Sequence, residues 1–324
     1  MRTIHYVTAL LIILGFACKK EKPVIIKDAV WSKAPHNAFT DLIYYNSKYY
    51  CAFREGSEHA SFDGRIRIIT SVDGNTWQDF ALLGYDKSDM RDPHFFIEKG
   101  NVLSLSSFAR RKNGQNSNIT FNLFNNTFSA STVLNVDNDF WLWSYMTFLD
   151  RNYSIGYNLK KKNLKPSLIL YGNDASEINR YDIVNDTLID IGCPTEAALC
   201  ISEDSVAYTI VRDDCTGSKS FLGASKYPFS IWSWKELPFF VRGPNIKMLS
   251  NGKLFLAASA MKGWNKTCYT IINPKTLAFE DVKELESDGD NGYPGIVIKN
   301  NQAIISYYSS HEGKACIYIK KVNL

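Results

Sequence analysis

Long apolar runs are missing from this sequence except at its very start, so the body of the chain has no segment fit to cross a bilayer as a helix. Convincing amphipathic helical periodicity is missing as well. No Cys-x-x-Cys pair and no Cys/His cluster occurs, which argues against a zinc finger or ribbon, and no glycine-rich phosphate loop points to a nucleotide. Histidine is scarce, with five residues, one of them in the first few positions. A net charge of +4 is too small to argue for nucleic acid, especially as part of it lies close to the N-terminus. No Pro/Gly/Ser-rich linker divides the chain, and a lysine-rich patch over 160–165 reads as a solvated loop.

The N-terminus carries an early Arg2, an apolar run from Tyr6 to Phe16 and a small residue, Ala17, directly before Cys18. That layout predicts a signal peptide over residues 1–17, lipidation at Cys18, a tether over 18–30 and one domain over 31–324. An exported, membrane-tethered lipoprotein is therefore expected, touching the membrane only through its lipid. Of the remaining cysteines, Cys51, Cys200, Cys268 and Cys316 fall inside strand-like runs, where a thiol serves as a small core residue. Cys193 and Cys215 lie outside such runs.

Aromatics make up 14% of the chain, and Tyr-, Phe-, Ile- and Val-rich segments alternate with Asn/Gly/Asp/Ser clusters. This is an all-β texture. Six times the sequence writes an apolar strand, a short polar turn and a second apolar strand, beginning at Asp41, His94, Tyr145, Ala197, Asn245 and Gly295. The turns centre near Asn46, Gly100, Asn152, Asp204, Gly252 and Asn301, at separations of 54, 52, 52, 48 and 49 residues. A repeat of this length suits a four-stranded propeller blade, and six repeats predict a six-bladed β-propeller, with five or seven blades as the alternatives. If each hairpin supplies the two inner strands of a blade, the residues flanking the hairpins converge on one face.

Those flanks are crowded with chemistry. They hold His36, Arg54-Glu55, Arg91-Asp92-Pro93-His94, Trp143, Glu196, Arg212, Arg242, Tyr293-Pro294 and His311-Glu312, with His59 in a loop on the same face. The SVDGNTW turn, Ser71 to Trp77, falls on the opposite face and reads as scaffold: Ser71 and Asp73 bond turn amides, Gly74 allows a tight bend and Trp77 packs.

Together with the FRE motif at Phe53 to Glu55, the RDP motif at Arg91 to Pro93 and the ending YPGIVIKNNQAIISYYSSHEGK, this turn resembles the Asp-box of the sialidase-like, BNR-repeat propeller proteins of bacteria. The resemblance covers nearly the whole chain beyond the signal and implies a carbohydrate-active enzyme with its site at one end of the channel. Sialidases carry an F/Y-R-I-P motif, three arginines and a Tyr/Glu nucleophile pair. FRIP is absent here, and Tyr293 is the one late tyrosine placed to match.

Two reactions suit the candidate residues, and neither requires a cofactor or a metal. In β-elimination across C4 and C5 of a uronic acid residue, His59, Tyr293, His36, His94 and Glu55 are the catalytic candidates. Arg54, Arg91, Asp92, Arg242, His311 and Glu312 then hold an acidic oligosaccharide, since imidazole and phenol exchange protons while arginine binds a carboxylate with two bonds. In glycoside hydrolysis by an exo-acting, sialidase-like enzyme, two carboxyl groups act, drawn from Asp41, Glu55, Asp63, Asp92, Glu196 and Glu312. Elimination is the leading expectation. A non-catalytic glycan-binding lipoprotein, with Trp141, Trp143, Trp264 and Tyr293 stacking on sugar rings, is the third reading. A monomer is expected in each case.

Overall fold

The computed structural model describes residues 26–136, 139–159, 167–171, 178–182, 193–214 and 219–324. The expected signal segment, Cys18, Cys215 and the lysine patch lie outside the described residues.

Each two-residue tight turn forces its neighbours into antiparallel strands. β1 (His36–Tyr45) and β2 (Lys48–Gly56) are joined at Asn46-Ser47, both with positive φ, the geometry that matches strand twist and that Asn tolerates. Asn300-Asn301 does the same between β21 (Asn291–Lys299) and β22 (Gln302–Ser309). Between β9 (Phe140–Phe148) and β10 (Arg151–Asn158), the turn is Leu149-Asp150, and Asn152 is already inside β10. The expected centre at Asn152 was misplaced because an exposed Leu at positive φ carries no turn signal in sequence.

Five sheets have four strands each, paired in consecutive order, over residues 36–83, 89–134, 140–182, 194–236 and 242–284. The last, β21–β23, has three. The expectation of six four-stranded blades is thus corrected to five, with a three-stranded sheet beside them. The outer edge of that sheet is capped by the N-terminal segment, where Trp31 bridges Ile317 of β23 (Cys316–Asn323) and the Val30 N–H donates to the Ile317 carbonyl at 2.8 Å. This pairing ties the start of the chain to its end.

The innermost strands β1, β5 (Asp89–Glu98), β9, β13 (Pro194–Ile201), β17 (Arg242–Met248) and β21 pack side by side, and β21 returns to β1, so the sheets form a closed β-propeller. Apolar side chains fill each gap between neighbouring sheets; Phe39, Leu42 and Phe53 meet Ile304, Tyr308 and Ile317, for example. Cys51, Cys200, Cys268 and Cys316 are free and buried, as expected of small core residues, and Cys193 is disulfide-bonded.

The SVDGNTW turn connects β3 (Arg65–Ser71) to β4 (Gln78–Leu83). Ser71 Oγ accepts from the Gly74 N–H at 2.8 Å and donates to Asp73, whose carboxylate takes the N–H groups of Asn75 and Thr76. Lys321 of β23 donates to the Asp73 carbonyl, so the turn also anchors the last sheet to the first.

Candidate active site

All six innermost strands share one irregularity. Near the start of each, one residue more than the partner strand supplies is inserted, at Phe39-Thr40, Asp92-Pro93, Trp143, Thr195-Glu196, Gly243-Pro244 and Tyr293-Pro294. A bulge re-aims its side chain out of the ladder. Because the strands surround one axis, the six bulges turn their residues toward a common centre. Asp92, Trp143, Glu196 and Tyr293 line a cavity of about 500 Å³ there, together with His59, Arg91, Arg110, Trp141, Tyr157 and Leu159.

Glu196 is the hub of this cavity. It accepts the Gly243 N–H at 2.6 Å, pairs with Arg212 at 2.8 Å and takes the Tyr293 hydroxyl at 2.5 Å. Gly243 has a φ of 54°, and a Cβ there would lie 2.8 Å from the Tyr293 ring, so glycine is what lets the N–H and the phenol meet on one carboxylate. Tyr293, with a φ of 48°, is wedged between Phe39 and Trp143. Burial, reinforced by the Glu196 charge, holds its phenol well above the ordinary range, so the hydroxyl is protonated in the resting site.

Asp92 faces the same space and is biased the same way, toward its protonated form. It is 5% exposed, Oδ1 has no hydrogen-bond partner, and its φ is 45°. Burial pushes its carboxyl up to about 7, with Arg91 opposing the shift and the charges of Glu196 and Asp89 adding to it. The wall opposite is aromatic: Trp141 stacks on Phe108 at 4.1 Å and runs nearly parallel to Tyr157. Its buried Nε1 has no partner. Two unpaired polar atoms at the edge of a cavity mark where a ligand would bond.

The remaining predicted residues distribute unevenly. His59 and Arg91 line the cavity, the latter through contacts to the His59 carbonyl and the Phe39 ring. His36, from the start of β1, and His59, from the loop after β2, converge on Asp290, each 2.8 Å from its Oδ2, while Tyr308 donates to Oδ1 at 2.7 Å. Burial pushes the Asp290 carboxyl up, but the bonds from His36, His59 and Tyr308 outweigh it and leave it well below the usual range. Arg242 rests on the Trp264 ring, its guanidinium 4.5 Å from the centroid.

Several expectations are corrected. Arg54 is fully buried, with Nε on Asp89 at 2.6 Å and its other nitrogens on the Glu58 and Ser61 carbonyls, so it props the β2–β3 loop and is shut off from substrate. Glu55, the next residue, points to the other side of the strand, bonded by Trp31 Nε1 and Arg67. His94 is half-buried against Trp143, and desolvation drives its imidazole down to about 3, so it stays neutral and does not serve as a proton donor at ordinary pH. His311 and Glu312 sit in the β22–β23 loop, His311 against Tyr318 and Glu312 holding the Lys27 N–H, away from the cavity lining.

Tyr157 and Asp290 were absent from the predicted site, Arg212 was placed on its face without a role, and Glu196 was only one carboxylate among six. Position was the available signal: all four flank hairpin strands, on the face where the sequence places its site.

No protein-family model matches the chain, and no curated protein matches its sequence. Solved structures do match in fold. A protein of unknown function from Dyadobacter fermentans is 15% identical with a TM-score of 0.75, covering 93% of this chain and 97% of that one. An α-L-arabinanase of Penicillium chrysogenum, solved with arabinobiose, is 10% identical with a TM-score of 0.69 over 91% and 97%. The Trypanosoma rangeli sialidase, solved as a covalent intermediate with 2,3-difluorosialic acid, is 12% identical with a TM-score of 0.64, over 88% of this chain and 54% of its own. The fold is that of the sialidase-like and arabinanase β-propellers.

Proposed function

We propose that this protein is a glycoside hydrolase. The observation that carries the reading is the meeting, in one cavity, of the Tyr293–Glu196 pair and an Asp92 whose carboxyl keeps its proton up to about 7. A carboxyl that burial keeps protonated can serve as the acid, and a carboxylate bonded to the nucleophile's hydroxyl as the base. Tyr293 is the nucleophile: its oxygen attacks the anomeric carbon as its proton passes to Glu196 Oε1. The glycosidic bond breaks and Asp92 gives its proton to the departing oxygen. Water then attacks the same carbon, Asp92 takes the water's proton, and the phenol leaves with the proton held by Glu196. Two displacements return the original anomeric configuration. The parallel aromatic wall of Trp141 and Tyr157 suits a sugar face, and Arg91 and Arg110 on the lining favour an acidic sugar.

Structural neighbours that act on glycosides support this reading over elimination, as does the loss of Arg54 and His94 from the groups available to a uronate. The N-terminal layout fits an exported lipoprotein that meets its glycan outside the cytoplasm. The test is a panel of 4-nitrophenyl α-L-arabinofuranoside, sialoside and glucuronide. On the substrate turned over, Tyr293→Phe and Glu196→Gln should each lose about 10²- to 10⁴-fold in kcat. A fluorinated glycoside should add one sugar mass to the peptide holding Tyr293. A rise in the ultraviolet absorbance of an unsaturated uronate from natural oligosaccharides, with no labelling at Tyr293, would return the assignment to elimination.

A further inference from the structure

We infer that His36, His59 and Asp290 form a binding site for a divalent transition-metal ion, best suited to zinc, on the edge of the cavity. The three residues come from the start of β1, the β2–β3 loop and the segment before β21, and Asp290 lies more than two hundred positions from either histidine in sequence. Their ligand atoms, His36 Nε2, His59 Nδ1 and Asp290 Oδ2, all lie within 4.8 Å of one another. Two imidazole nitrogens and one carboxylate oxygen are the donor set of three-ligand zinc sites that keep a fourth position open. Softer or purely oxygen-preferring cations are poorly served by it.

The surroundings fix the ligands much as a metal site requires. Asp290 Oδ1 is occupied by the Tyr308 hydroxyl and the Asp290 N–H is not free either, donating to Ser310 Oγ at 2.8 Å, so Oδ2 alone faces the two rings. Such bonds to the non-ligating atoms orient a carboxylate for coordination. His36 is 9% exposed and its ring is held by Phe39 and Tyr308, which leaves Nε2 its only nitrogen with a polar contact; buried Nδ1 has none. His59 is the most exposed ligand in this set, on the β2–β3 loop and also part of the cavity lining. The present separations of 2.8 Å are those of hydrogen bonds. Zinc with bonds of about 2.0–2.2 Å would need them opened by about half an ångström, which the His59 loop can supply. The fourth ligand would then come from the cavity, as water or a sugar oxygen.

A metal site of this kind leaves no local signature in the sequence, because each ligand belongs to a different segment. The assignment does not depend on the hydrolase reading, since it is tested without substrate. The full chain, stripped with a chelator, is titrated with zinc alone by calorimetry, and cobalt is added in parallel to read the visible absorption of its bound form. One ion per chain is expected. His59→Gln and Asp290→Asn should each weaken binding by 100-fold or more, Tyr308→Phe by about 10-fold, and His311→Ala not at all, with circular dichroism confirming each fold. No zinc uptake, or uptake unchanged in His59→Gln and Asp290→Asn, would mean that the three residues are a hydrogen-bonded cluster only.

Discussion

Replacing Asp92 by Asn should make the protein more stable at alkaline pH while removing the group proposed as its general acid. In the folded state the carboxyl titrates at about 7, against an ordinary value of 3.8. The folded chain therefore holds a proton between these two values that the unfolded chain has released, so stability falls as pH rises from about 4 to about 7 and is level beyond. A gap of about three pH units at about 1.4 kcal/mol each amounts to about 4 kcal/mol, the cost of ionising a carboxyl whose Oδ1 is buried without a partner. Asn cannot ionise, so the variant escapes this cost.

Urea unfolding of both proteins at pH 4, 5.5, 7 and 8.5 reads the effect as a difference, because groups remote from Asp92 titrate alike in the two. The stability of the variant relative to the parent should rise by about 4 kcal/mol between pH 4 and pH 8.5. Over the same range the parent's kcat/KM should decline above pH 7 as Asp92 loses the proton that the leaving group needs. A stability difference that stays constant with pH would refute the placement of a protonated carboxyl at this bulge and, with it, the acid role.

Arg54→Met should cost about 3–5 kcal/mol by leaving Asp89, itself fully buried, without its main partner; thermal melting reads the loss, and an unchanged KM in the surviving folded protein separates this structural role from a substrate clamp. Ser71→Ala should cost about 1 kcal/mol in urea unfolding by freeing the Gly74 N–H. It should leave kcat and KM as they were, since the turn lies on the face away from the cavity.

The face of the propeller that carries the site was readable from sequence, because a hairpin repeat near fifty residues fixes which strand ends sit together whatever the side chains do. Roles within that face were not. Arg54 and Glu55 are neighbours in one charged motif, yet alternation along β2 sends one into the interior and the other outward to Trp31 and Arg67. His94 follows Asp92 by two residues, and the bulge turns Asp92 into the cavity while His94 is packed beneath Trp143. A motif such as RDP records that a bulge occurs and says nothing of which residue it exposes.

What the sequence determined by itself was the repeat: apolar, aromatic-rich strands, Asn- and Gly-bearing turns and one Asp-box define an all-β propeller, because backbone geometry and turn chemistry act over a few residues. What only the tertiary structure decided was which groups meet. Glu196, Arg212, Gly243 and Tyr293 come from three sheets, and His36, His59 and Asp290 from three segments of the first and last. Closing the ring sets those distances, and with them the burial that keeps Asp92 protonated and the partners that bind Glu196. No local stretch of sequence contains that information, because each contact joins residues that the chain holds tens to hundreds of positions apart.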